Sequence, residues 1–232
     1  MDSCRGDDNK KLFTQRYFLT PIIHIELQKG NEKKCCCNDA LKNRSECYIF
    51  YAVNKVNQKE IFSFYAGASD EKSCAIKLLE LIGHEPFPKF NPLIDDIPII
   101  PPTGTFANKK NLNQAVTPHS ISNRKPDWDP LNKELYKAIC MLIMSWDINP
   151  YGILMNILSF LIKHPETRTQ EWSVKKVNDI IGKDKRKRKI NQMISDLAAN
   201  GQTTKHIYFP EIIEVIKKLK ENDPLIINNF ID

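Results

Sequence analysis

Seven cysteines carry the most chemistry in this sequence, and they are unevenly spread. Cys35, Cys36 and Cys37 are consecutive, Cys47 and Cys74 follow, and Cys4 and Cys140 stand apart. Thiolate is a strong zinc ligand, and Cys35-x-Cys37 sets two thiolates close enough to clasp one ion at a tight turn. The flanking residues, Lys33-Lys34 and Asn38-Asp39, are turn composition rather than core strand. Cys74 stands near a helix start, where the positive end of the dipole favours a thiolate. The fourth ligand is open: His24 comes first, Cys47 second, and Cys36 can replace either neighbour. The competing reading is a set of buried thiols in a small β core, since free cysteine is a common core residue; a redox or catalytic cysteine ranks below both. An odd cysteine count behind a charged first segment without an apolar run argues against a disulfide framework and a secretory signal, and for reduced thiols in the cytoplasm.

The second chemical feature is a run of bases, Lys183-Asp-Lys-Arg-Lys-Arg-Lys189. It supplies +5 of a net formal charge of +6, so the rest of the chain is nearly neutral. Lys183, Lys185, Arg186, Lys187, Arg188 and Lys189 are candidate phosphate contacts, because neutralising a phosphate releases condensed counterions. A solvated charge run and a sorting or docking signal are the competing readings. Cations at a helix N-terminus oppose the macrodipole, which argues against a purely stabilising role.

Local patterns place these residues on elements. Cys47–Val53 and Glu60–Tyr65 are aromatic and β-branched runs joined by polar residues, a β-hairpin signature. Ala75, Ile76, Leu78, Leu79 and Ile82 form an amphipathic stripe, predicting a helix from about Glu71 to Ile82, closed by Gly83. Nine of the fourteen prolines fall between Pro86 and Pro130, which excludes one long regular element there. The stretch from Thr103 to Lys125 is polar and Asn-rich and reads as a flexible linker. Beyond it, helices are predicted over Leu131–Trp146, Tyr151–Lys163, Glu171–Ile181 and Asp184–Asn200, with a last one from Pro210 through Leu219. The expected division is residues 1–100, a linker over 101–128, and a helical domain over 129–232.

The order Cys-x-Cys turn, hairpin, glycine and cysteine at a helix start resembles treble-clef and related zinc-bound modules over residues 24–83, with Cys-x-Cys in place of the commoner Cys-x-x-Cys. The resemblance implies a structural Zn2+ held by four protein ligands, for which His24, Cys35, Cys37 and Cys74 are the candidates. Residues 150–210 resemble a winged helix-turn-helix domain. That resemblance makes Asp184–Asn200 the recognition helix and Gln202–Phe209 a short wing. The fold class expected is therefore α+β: a small zinc-stabilised hairpin and helix module followed by an all-helical, winged-helix-like domain.

Other functions find little support. No stretch approaches the roughly 20 apolar residues of a membrane helix. The five histidines are widely separated, no glycine-rich phosphate loop occurs, and no carboxylate pair has a general acid–base context. The function expected is non-enzymatic nucleic-acid binding, of DNA more than RNA. The alternative is a protein–protein adaptor in which each half docks a partner.

Overall fold

A computed structural model describes residues 4–86, 128–199 and 208–231. The two predicted β runs pair antiparallel as β4 (Glu46–Asn54) and β5 (Ile61–Gly67), with Phe50 opposite Phe64. A third strand, β1 (Tyr17–Glu26), lies along the other edge of β4, so the sheet order is β1-β4-β5. Pro21 has no N–H to give the ladder, and the register slips there between Pro21 and Ile23. The slip turns Ile22 and Ile23 inward together, and both are buried. A small second hairpin, β2 (Glu32–Lys34) and β3 (Ala40–Lys42), carries the cysteine triplet at its turn.

Helix α1 (Asp7–Arg16) precedes the sheet. It has one large inward side chain, Phe13, set edge-on to Phe64 with ring centroids 5.4 Å apart. So narrow an apolar stripe is why periodicity does not announce this helix. Helix α2 (Cys74–Ile82) starts three residues later than expected. Asp70 organises a turn instead, accepting from Lys72 N at 2.8 Å through its side chain and from Ser73 N at 3.0 Å through its carbonyl. Gly83 ends α2 at φ 67°, a left-handed cap that returns Gly83 N to Glu80 O and His84 N to Leu79 O.

Helix α3 (Pro130–Trp146) begins as its sequence predicts: Asp129 accepts from Leu131 N and Asn132 N, and Pro130 takes the first turn. Leu135 through Met144 are all buried. Around α3 pack α4 (Gly152–Lys163), α5 (Glu171–Ile181), α6 (Ile190–Ala199), α7 (Pro210–Asn222) and, on the remaining side, β1. Two polar side chains of α3 hold neighbours in register. Asn132 Nδ2 donates to the carbonyls of Pro165 and Thr167, and its Oδ1 accepts from Thr169 N. Glu134 accepts from Ile212 N, satisfying an otherwise orphaned N–H at the start of α7.

The helices and the sheet, expected as separate domains, share buried contacts. Tyr136 is fully buried and its hydroxyl donates to Ile22 O on β1 at 2.9 Å. Ser63 on β5 donates to Pro150 O at 2.9 Å. Gln28 donates through its side chain to Met144 O, and Asn31 donates to the Asp147 carboxylate at the end of α3. Burial raises the Asp147 pKa above the ordinary carboxylate range, against the hydrogen bonds from Asn31 and Gln28. The expected linker lies outside the described residues except Trp128, whose ring meets Tyr136 edge-on at 5.3 Å. The architecture is α+β: the described residues hold a small antiparallel sheet with seven helices, and none of those helices is long and apolar enough to cross a membrane.

Tyr136→Phe removes the hydroxyl that ties α3 to β1 and leaves Ile22 O without that donor. Unfolding in urea, followed by circular dichroism, should show a loss of about 1–2 kcal/mol with an unchanged m-value.

Candidate functional site

The triplet Cys35-Cys36-Cys37 sits on a β-turn, closed by Asn38 N donating to Cys35 O at 2.8 Å. Asn38 takes the left-handed conformation at φ 70°, which asparagine tolerates better than most residues. The turn is pinned from three directions. Cys35 N donates to Asp39 O within the hairpin, Cys36 N to Tyr65 O on β5, and Cys4 N to Cys36 O, at 2.8–2.9 Å. Cys74, the first residue of α2, faces this turn.

Three thiols converge there. The sulfurs of Cys35, Cys36 and Cys74 all lie within 4.8 Å of one another, and this group can hold a metal ion. Cys36 Sγ and Cys74 Sγ are 3.2 Å apart. Hydrogen bonds from the Cys36 and Cys74 thiols, with help from the N–H groups of Cys37 and Gly67, hold Cys35 well below the usual thiol range. The same contacts keep their donors protonated: Cys36 is raised by its bonds to Cys35, Cys4 and Cys74, and Cys74 chiefly by its bond to Cys35. These bonds favour negative charge on Cys35 over its neighbours. A divalent cation supplies the charge needed to deprotonate the rest. One side opens on a cavity of 490 Å3 lined by Cys35, Cys37, Cys74, Asp39, Glu46 and Asp70, so an ion has a path in.

The expected ligand set changes in composition. Cys35 and Cys74 meet as predicted. Cys37 is adjacent, with Sγ 3.1 Å from Cys35 Sγ, but its thiol donates to Asp39 Oδ2 at 3.2 Å, and burial pushes it up to about 11. Cys36 takes the inward position instead. His24, the first choice for a fourth ligand, is outside the cluster. Its register places it opposite Tyr48, stacked on that ring at 4.2 Å, with Nε2 3.5 Å from a Glu46 carboxylate oxygen. The physical reason is strand order: β1 is separated by β4 from β5, against which the cysteine turn is pinned. Two strand spacings, about 10 Å, keep an imidazole on β1 from that turn. Cys47 is wholly buried in β4, and burial raises its pKa to about 12.

The basic run forms a second constellation. Helix α6 was expected from about Asp184 but begins at Ile190, so the bases lie in the turn between α5 and α6. Asp184 organises that turn. Its side chain, 3% exposed, accepts from the N–H groups of Arg186 and Arg188, from the Arg188 guanidinium and from Trp146 Nε1. Lys187 turns the chain at φ 57°. Burial opposes the charge on Asp184, but the donors from Arg188 and Trp146 outweigh it and hold the carboxyl well below its usual range. Arg188 is consequently an internal residue, 11% exposed and also bonded to Asp196, rather than a free phosphate contact. Arg186 is exposed and pairs with Asp196 at 3.1 Å. Among the described residues, no carboxylate pairs with Lys183, Lys185, Lys187 or Lys189. The expected wing falls mostly outside the described residues; Tyr208 and Phe209 are described, and Phe209 is buried at the start of α7.

Residues 2–225 match the model of the family described as uncharacterised conserved protein UCP028583. The chain belongs to this family. No curated protein and no solved structure matches it. The matched residues include both the thiol cluster and the basic turn.

Sequence reasoning underrated Cys36 and passed over Cys4 as a neighbour of the cluster. Nothing in the spacing signals Cys4, because the contact depends on where α1 directs the chain.

Asp184→Asn leaves the Arg188 guanidinium with Asp196 as its remaining carboxylate and should cost about 2 kcal/mol near neutral pH. Because the folded-state pKa is lowered, this contribution is complete above the unfolded value of about 4 and fades as pH falls further. Denaturant curves of the two proteins, separate at pH 7, should therefore draw together below about pH 4.

Proposed function

We propose that the protein is a non-enzymatic nucleic-acid-binding protein, with DNA preferred over RNA, whose fold is stabilised by structural zinc. The observation that carries the nucleic-acid reading is the anchored basic turn. Asp184 fixes the backbone, and Lys183, Lys185, Arg186, Lys187 and Lys189 ride on it just ahead of α6. An ordinary solvated charge run needs no such anchor. A fixed cationic turn beside the positive end of a helix dipole is a favourable place for phosphate oxygens, because little ordering entropy remains to be lost on contact. The turn and α5 ahead of it support a helix-turn-helix-like approach to the duplex backbone, with Arg188 acting from inside to hold the shape.

The expected measurement is duplex DNA affinity as a function of salt. Five phosphate contacts imply a log–log slope of about −4.5. Charge reversal of Lys185 and Arg186 should flatten the slope and abolish binding at moderate salt, with far-UV circular dichroism unchanged. Equal affinity for single-stranded RNA removes the DNA preference. No binding to DNA or RNA at low salt sinks the reading and leaves a protein–protein adaptor.

Zinc is supported by the donor set, since soft thiolates select zinc over magnesium or calcium. With a fourth protein ligand beside the three thiolates no position is left for water, which makes the ion structural. Elemental analysis of the full-length protein should find about one zinc per chain. Cys36→Ser or Cys74→Ser should remove it and lower the thermal midpoint, and a stably folded, metal-free wild type refutes the zinc reading.

A further inference from the structure

Three sulfurs leave one corner of a tetrahedral site open. We infer that Cys4 fills it, so that the site is Cys4, Cys35, Cys36 and Cys74, and that the metal staples the first segment of the chain onto the sheet. The inference rests on the metal-binding reading of the thiol cluster and adds to it the identity of the fourth ligand.

Four observations converge on Cys4. Its residue has no solvent exposure, although it stands only two residues ahead of the exposed Gly6. Its backbone N–H donates to Cys36 O at 2.9 Å, fixing the distance between the first segment and the cysteine turn. An interaction with the Cys4 side chain is among the causes that raise the Cys36 thiol, which sets the two side chains side by side. The chain then enters α1 at Asp7, and Phe13 anchors that helix against Tyr17 and Phe64, which limits how far Cys4 can withdraw.

The rival donors are worse placed. Cys37 is the next residue along a tight turn whose two preceding side chains already face inward. Its thiol faces the Asp39 carboxylate, and Asn38 carries the chain away in the left-handed conformation. Cys37 Sγ is 3.1 Å from Cys35 Sγ, but ligation by it gives up the bond to Asp39 Oδ2. His24 and Cys47 belong to strands that hold them elsewhere. Sulfurs around a zinc ion at about 2.3 Å stand about 3.8 Å apart, a spacing that Cys35, Cys36 and Cys74, mutually within 4.8 Å, already approach; Cys4 Sγ lies outside that group and has to turn in to join it. Each neutral thiol that ligates releases its proton to solvent, and acid therefore competes with the metal.

The distinguishing experiment is a cobalt(II) titration of the full-length protein, followed by displacement with zinc. Wild type and Cys37→Ser should give the same four-thiolate tetrahedral spectrum. In Cys4→Ser the sulfur-to-metal absorption should fall by about a quarter, as four thiolates become three. Its zinc affinity should fall about ten-fold or more. Cys4→His keeps a ligand at the position and should bind cobalt with visible bands shifted to a mixed nitrogen–sulfur pattern; it also serves if the serine variant does not fold. A wild-type spectrum in Cys4→Ser or Cys4→His, or loss of a thiolate in Cys37→Ser, overturns the assignment of Cys4 while leaving the metal reading intact. Failure of the wild type to take up cobalt or zinc overturns both.

Discussion

Ten consecutive residues of α3, Leu135 to Met144, are buried, so this helix has no face left for water. Such a helix has to be enclosed on every side. Four other helices cover most of it, and the last side is closed by β1 of the sheet. That requirement decides the architecture. The strands supply part of the wall around α3. The polar groups at this wall are matched rather than excluded: Tyr136 reaches Ile22 O, and Ser63 reaches Pro150 O. These bonds fix where the helices sit against the strands, which apolar contact alone specifies less sharply.

The thiol cluster depends on the sheet in a different way. Its turn contributes Cys35 and Cys36, but the turn's orientation comes from Cys36 N bonding to Tyr65 O on β5. Cys74 arrives because β5 leads, through the Asp70 turn, into α2. Four chain segments thus meet within a few ångströms, namely the first residues, the β2–β3 turn, the end of β5 and the start of α2. A metal ion held at that meeting point would cross-link these segments.

At the other constellation, charge and structure are divided among neighbouring residues. Asp184 and Arg188 face inward and shape the turn, while the lysines between and beside them face solvent. Buried arginine–carboxylate pairs seldom add much net stability, because desolvation offsets the attraction. They do specify one conformation well, since any rearrangement leaves a charge unpaired. A turn that must present several cations together needs this kind of internal hold, because mutual repulsion otherwise drives the chain apart.

Much of this was legible along the chain. The paired β runs, the α2 stripe with its Gly83 cap, the Asp129-Pro130 start of α3 and the clustering of thiols and bases all follow from local rules of propensity, periodicity and capping. Local rules failed where a partner far along the chain decides the outcome. Helix α1 and the full length of β1 carry weak patterns and form because Phe13 and the β4 ladder receive them. The start of α6 moved from Asp184 to Ile190 because the Asp184 carboxylate captures the N–H groups of Arg186 and Arg188. His24 was a reasonable ligand by residue type, and the strand order put it on the wrong edge. The sequence by itself determined which chemistry is available, a cluster of soft donors and a concentrated positive charge, because residue types and local spacing need no folded partner. Only the tertiary structure decided which donors meet and which base turns inward, because register, strand order and the path of the first segment are set by contacts between residues distant in sequence.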